Sequence, residues 1–216
     1  MELFEPTMLL VLALVAFVAG FIDAVAGGGG MLTVPALLSL GLPPHIALGT
    51  NKLAATFASS TAAFTYYKKR LFKPHCWGRA FIATLIGATL GTLVVDLIST
   101  EWLEKILPII ILLAAIYTIW HKTPQSNSNE MPQPCPKFNK KQYIQGFSIG
   151  FYDGVAGPGT GAFWTVSSMV LYRLNILLAS GLSKAMNFTS NFTSLITFAI
   201  LGLSLIHISE PTRPTD

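Results

Sequence analysis

Charge is what this chain has least of. Lys, Arg, Asp and Glu together make up 11% of its 216 residues, against about 25% in an ordinary soluble domain. That shortage excludes a body wetted by water on every side. Cysteine is scarcer still: Cys76 and Cys135 stand apart, without C-x-x-C or histidine spacing, so neither a disulfide framework nor a zinc site is expected. No other metal and no cofactor is expected. The glycines do not form a G-x-G-x-x-G fingerprint after a strand, which argues against a bound nucleotide. The formal net charge of +4 is not a nucleic-acid footprint, because the basic residues sit in short loops where they set membrane orientation.

What is present is apolar. Hydrophobic residues make up 52% of the chain, mean hydropathy is +0.57, and several runs reach the roughly 20 residues that cross a bilayer as a helix. Eighteen glycines fit a membrane bundle, where Gly is commoner than in soluble helices. The expected class is an all-α polytopic membrane protein. Ala24-Val25-Ala26 imitates a signal-peptidase site, but Glu2 and Glu5 occupy the region where a signal needs positive charge, so a cleaved leader is not expected.

Apolar segments are read at 7–26, 31–41, 46–67, 79–98, 103–120, 143–156, 160–173 and 179–202, with a chain break at Pro43-Pro44. The stretch 121–142 is polar, carries four prolines and reads as a flexible linker. Lys68, Lys69, Arg70, Lys73 and Arg79 load residues 68–79, and Lys122, Lys137, Lys140 and Lys141 load the linker. By the positive-inside rule both loops are expected to be cytoplasmic.

Comparing the chain with itself yields the most informative feature. Gly20-Phe21-Ile22-Asp23-Ala24-Val25-Ala26-Gly27-Gly28-Gly29-Gly30 recurs 130 residues later as Gly150-Phe151-Tyr152-Asp153-Gly154-Val155-Ala156-Gly157-Pro158-Gly159-Thr160. A weaker echo follows at offset 132, where Lys52 aligns with Lys184; Asn51 precedes the first lysine and Asn187 follows the second. The expected organisation is a first repeat at 1–120, the linker at 121–142 and an incomplete second repeat at 143–202. Five segments separate the two copies, so the second runs the opposite way across the membrane. Inverted repeats of this kind place transporter sites near the midplane, at broken helices. Segments 143–156 and 160–173 are short for a span and read as a re-entrant hairpin.

A glycine loop that opens a helix offers backbone N–H groups and a positive dipole end to an anion. Gly27, Gly28, Gly29 and Gly30 form one such loop, and Gly157, Gly159 and Thr160 the other, with Thr33 and Thr165 as further hydroxyl donors. Four intramembrane charges stand near the two loops and the helices that follow them: Asp23, Lys52, Asp153 and Lys184. Each costs on the order of 2.5–3.5 kcal/mol at the bilayer centre, so idle placement is not expected. Lys52 and Lys184, with Asn51 and Asn187 beside them, are candidate substrate-binding residues for a small anion. Asp23 and Asp153 are candidates for ion pairing with the lysines or for carrying a coupling proton. The bland alternative makes all four residues structural bridges and the glycines simple aids to close packing.

The segment 20–30, the Thr50-Asn51-Lys52 that follows it and Gly150-Phe151-Tyr152-Asp153-Gly154 resemble the sulfite exporter TauE/SafE family, most of all its YfcA-like bacterial members. The resemblance covers residues 5–202. It implies a multi-pass protein of a bacterial inner membrane that moves sulfite, a sulfonate or a related organic anion. Asp23, Gly27, Gly28, Gly29, Gly30, Asn51, Lys52, Asp153 and Gly157 are the matching motif positions. No catalytic residue and no nucleic-acid partner is implied; the expected partners are a small anionic substrate and the lipid bilayer, with a homo-oligomer left open. Two other readings compete, a membrane partner or sensor without transport, and an intramembrane aspartyl protease built on Asp23 and Asp153. The protease reading lacks the Gly-x-Gly-Asp motif and gives the lysines no task. The chain departs from the family pattern at its end. The 130-residue offset would carry the equivalent of residue 120 to about residue 250, whereas Leu203-Ser204-Leu205-Ile206-His207-Ile208-Ser209-Glu210-Pro211 looks like a translated sequencing adaptor. Residues 203–216 are therefore expected to be a non-native tail.

Overall fold

The computed structural model describes residues 6–120 and 136–201. It contains eight α-helices among those residues: α1 (Pro6–Ala26), α2 (Gly30–Ser39), α3 (Pro44–Lys68), α4 (Gly78–Leu97), α5 (Thr100–Trp120), α6 (Pro136–Val155), α7 (Thr160–Tyr172) and α8 (Ile176–Ile200). A single 3₁₀ turn at Pro74–Cys76 precedes α4. The expected all-α architecture is the observed one. Local chemistry sets several boundaries. Pro44 opens α3 at a position where its missing N–H costs nothing. Asn175 caps α8 by accepting a 2.9 Å hydrogen bond from the Leu178 amide.

One expectation needs correction. The helix expected at 143–156 starts at Pro136, so α6 has 20 residues and is not a short hairpin arm. Its first turns carry Lys137, Lys140 and Lys141, which mask the helix from a reading based on apolar runs. The rest of the expected linker, and the expected tail, lie outside the described residues. The two short helices are α2 with 10 residues and α7 with 13. At about 1.5 Å per residue neither crosses a hydrocarbon layer of about 30 Å. Each follows a glycine loop, and α3 and α8, at 25 residues apiece, are long enough to span it.

Polarity is distributed inside out. The outer surface carries Leu10, Phe17, Phe21, Leu97, Ile119 and Trp120, and α4 and α5 are apolar and long enough to cross a membrane unaided. The interior holds Lys52, Asp153, Lys184, Ser59, Thr84, Thr92, Ser168, Ser183, Asn187, Ser190 and Asn191. In water such an arrangement would be costly on both counts; in lipid it is the stable one, because polar groups find partners only within the bundle. Apolar packing closes the two ends. Trp77, Trp164, Tyr172 and Leu182 anchor one cluster; Val34, Leu48, Leu107 and Phe198 anchor the other.

The tightest helix contact joins α4 to α6 along a glycine seam. Gly87 and Gly91 of α4 lie against the main chain of Phe147 and Phe151, while Gly146, Gly150 and Gly154 of α6 lie against Ala80, Thr84 and Ala88. A Cβ at Gly150 would stand 2.7 Å from the Thr84 carbonyl oxygen, well inside contact distance. Close backbone approach of this kind is how membrane helices gain van der Waals contact without a hydrophobic drive. The repeat counterpart of Gly150 is Gly20 in α1, where a Cβ would meet nothing within 4 Å. Gly150→Leu should therefore cost about 1–3 kcal/mol or more of overpacking, seen as a lowered melting temperature in detergent. Gly20→Leu should leave the melting temperature unchanged; equal effects of the two would refute the seam.

Candidate functional site

The two glycine loops meet. Gly27, with φ +77°, ends α1 and turns the chain into α2; Gly157 and Gly159, at +91° and +81°, do the same between α6 and α7. Side chains rarely adopt these left-handed angles. The loops touch through main chain, for the Gly161 amide donates a 3.1 Å hydrogen bond to the Gly27 carbonyl. A Cβ on either residue would collide with the other's backbone.

Around that contact the four intramembrane charges gather, and they pair across the repeats. The Lys52 ammonium from α3 forms a 2.6 Å ion pair with Asp153 Oδ1 of α6 and also donates to the Asp153 carbonyl. Thr160 Oγ1 donates to the same carboxylate oxygen at 3.2 Å, and Ser190 Oγ donates to Oδ2. The Lys184 ammonium from α8 donates at 2.5 Å to the Asp23 carbonyl of α1. Among these four charges Lys52–Asp153 is the only ion pair, so the Asp23 carboxylate lies beyond ion-pair range of Lys184. All four residues are 6% exposed or less.

Lys52 and Lys184 are therefore unlike. Lys52 is neutralised by a carboxylate that also accepts from two hydroxyls. Lys184 keeps a formal charge, with one carbonyl as its hydrogen-bond partner among the described residues. Its neighbour Ser183 ties α8 to the second loop by donating 2.7 Å to the Gly161 carbonyl.

The remaining candidates take their places as follows. Asn51 Oδ1 accepts a 2.5 Å hydrogen bond from Thr33 Oγ1, beside Gly30. Asn187 is engaged with Asn191, whose amide donates to its carbonyl at 2.8 Å and to its side-chain oxygen at 3.0 Å. A Cβ at Gly28 would meet only Met31 Sδ, at 3.9 Å. Loop amides expected to face an anion have internal acceptors in this conformation: Gly29 donates to Asp23 Oδ1, Thr160 to the Gly157 carbonyl and Gly161 to Gly27. Thr165 bonds back to the Gly161 carbonyl of its own helix. No cluster of metal-ligating side chains occurs among the described residues.

Ser190 is the member of the site that inspection of charges alone passes over. Its signal is periodic. Ser183, Asn187, Ser190, Asn191 and Ser194 recur at three- and four-residue steps around Lys184 in an otherwise apolar helix. That spacing marks one polar face turned inward.

Comparison with known proteins agrees with this architecture. The sulfite exporter TauE/SafE family model matches residues 12–209. A Haemophilus influenzae protein named "Probable membrane transporter protein" is 38% identical over 90% of this chain and 75% of its own length. "Probable membrane transporter protein YfcA" of Escherichia coli K12 is 34% identical over 92% of this chain and 72% of its own length. A Sinorhizobium protein named "Probable membrane transporter protein ORF9" is 35% identical, with 92% and 75% covered. No solved structure matches significantly. With its helices, its buried charges and a family match across nearly its whole length, the chain is a membrane protein of the sulfite exporter TauE/SafE family, a family of transporters.

Proposed function

We propose that the protein is a secondary transporter of a small anion, namely sulfite, a sulfonate or a related organic anion, across the bacterial cytoplasmic membrane. The observation that carries this reading is Lys184: a buried ammonium outside ion-pair range of any described carboxylate, at the meeting point of two glycine loops. An ammonium held by no direct ion pair is expensive inside a membrane, and an incoming anion offsets that cost. In the conformation described the loops are closed on each other. Separating them would free the Gly161 amide, and with it the N-terminus of α7, to join Lys184 around an oxyanion. The family's name supports sulfite or a chemically similar anion.

The topology that fits this role places residues 68–79 and the segment 121–142 on the cytoplasmic side, where their basic residues satisfy the positive-inside rule. The protease alternative finds no support: the Gly-x-Gly-Asp motif is absent, and Asp153 is engaged by Lys52, Thr160 and Ser190.

Two outcomes are expected. In proteoliposomes loaded with radiolabelled sulfite or a sulfonate, Lys184→Ala should lose tenfold or more of the flux while inserting normally, consistent with about 1.4 kcal/mol or more of binding. Unchanged flux would return Lys184 to a structural role. Lys52→Ala, by contrast, should act on stability. Removing one partner of a buried pair costs about 3–5 kcal/mol, whereas replacing both by apolar residues of similar volume is often neutral. Lys52→Met combined with Asp153→Leu should restore most of the melting temperature that Lys52→Ala loses.

A further inference from the structure

The repeats are alike in sequence but not in how they hold their carboxylates. At offset 130 Asp23 corresponds to Asp153 and Gly30 to Thr160; at offset 132 Lys52 corresponds to Lys184 and Ala58 to Ser190. Asp153 receives the Lys52 ammonium and two hydroxyls, Thr160 on Oδ1 and Ser190 on Oδ2. In the first repeat both hydroxyls are missing, because Gly30 and Ala58 have none to give. Asp23 keeps one donor, the Gly29 amide at 3.2 Å on Oδ1. Among the described residues its Oδ2 has no hydrogen-bond partner, although it is buried and the residue is only 6% exposed.

Beside Asp23 lies a small cavity between α1, α2 and α3, with Gly30, Thr33, Asn51 and Ala58 in its walls. The two positions that lack hydroxyls thus line the space next to the orphaned carboxylate. The cavity measures about 20 Å³, and roughly 10–15 Å³ suffices for one water. The charged groups around Asp23 are Lys184 from α8, Lys52 from α3 and Asp153 from α6; α2 and α7 carry no charged side chain. Lys52 and Asp153 cancel each other, which leaves Lys184 as the one cation opposite Asp23.

We propose that Asp23 is a proton-binding site, loaded and unloaded through this cavity, and that its counterpart Asp153 is not. Loading transfers a proton from hydronium in the cavity to Oδ2. An O–H bond forms, a water is left behind, and the carboxylate becomes a neutral acid whose new donor faces that water. Unloading is the reverse. With Asp23 neutral, Lys184 loses its nearby negative charge, so a proton and an anion favour each other's binding by the same factor. That last step, proton–anion co-transport, rests on the transport reading of Lys184; the protonation itself does not.

Infrared difference spectroscopy of the purified chain in detergent, stepped in pH, tests the site without any substrate. Subtracting the spectra of Asp23→Asn from those of the parent chain should leave a protonated-carboxyl band that appears on acidification, since the other acidic residues contribute alike to both. Ala58→Ser adds to the cavity wall the hydroxyl that Ser190 provides in the other repeat. A donor to the ionised form favours it, so this variant should weaken the band severalfold at a pH where the parent chain is half loaded. Ala58→Ser adds a single oxygen at a cavity wall and carries the test if Asp23→Asn does not fold. The absence of that difference band, a band indifferent to Ala58→Ser, or a response to sodium at constant pH in place of one to pH would each overturn the proposal. If the band behaves as expected while a pH gradient drives no sulfite or sulfonate into proteoliposomes, the proton site stands and the transport reading fails.

Discussion

The structure depends on an exchange of charge between its two halves. A lysine inside an apolar bundle must find an acceptor within the protein, and here each lysine finds it in the opposite repeat: Lys52 at Asp153, Lys184 at the main chain of Asp23. Neither repeat provides the acceptor for its own lysine. The crossing brings α3 and α8 together at the centre and draws the glycine loops into contact. It also explains why glycine occupies Gly27 and Gly161, since a side chain on either would hold the halves apart and stretch the charge pairs.

The same exchange accounts for the polar interior around it. Removing two charges and their partners from water is tolerable only when the remaining lone pairs and protons are met. Thr160 and Ser190 do this for Asp153; Ser183, Asn187 and Asn191 complete a polar face on α8. Solvation by the bundle replaces solvation by water, and the residues that do it are small hydroxyls and amides that fit between closely packed helices. The first half is less generously equipped, and the under-solvated Asp23 is the result.

Much of this was legible in the sequence. The helices follow apolar runs, the repeat is visible by eye, and the energetic penalty on a membrane charge singles out Asp23, Lys52, Asp153 and Lys184. The start of α6 was not legible, because its first turns are basic and polar and the apolar pattern sets in only later. The partner of each lysine was also hidden. Within a repeat the Asp and the Lys stand 29 and 31 residues apart, and nothing local distinguishes pairing within a repeat from pairing across. Topology decides that, through the reversal between the copies. The inequality of the two aspartates, by contrast, could be read in advance from Gly30 against Thr160 and Ala58 against Ser190, once the offset is known.

The glycine seam between α4 and α6 has a mechanical meaning. By sequence α4 belongs to the first copy, yet its closest neighbours are α6 and then α8, both of the second. Helices locked at backbone distance cannot slide without clashing, so α4 travels with its adopted neighbours. The helices packed as one unit are therefore not the stretch that the sequence repeat marks out: α4 leaves the first copy and is built into the second.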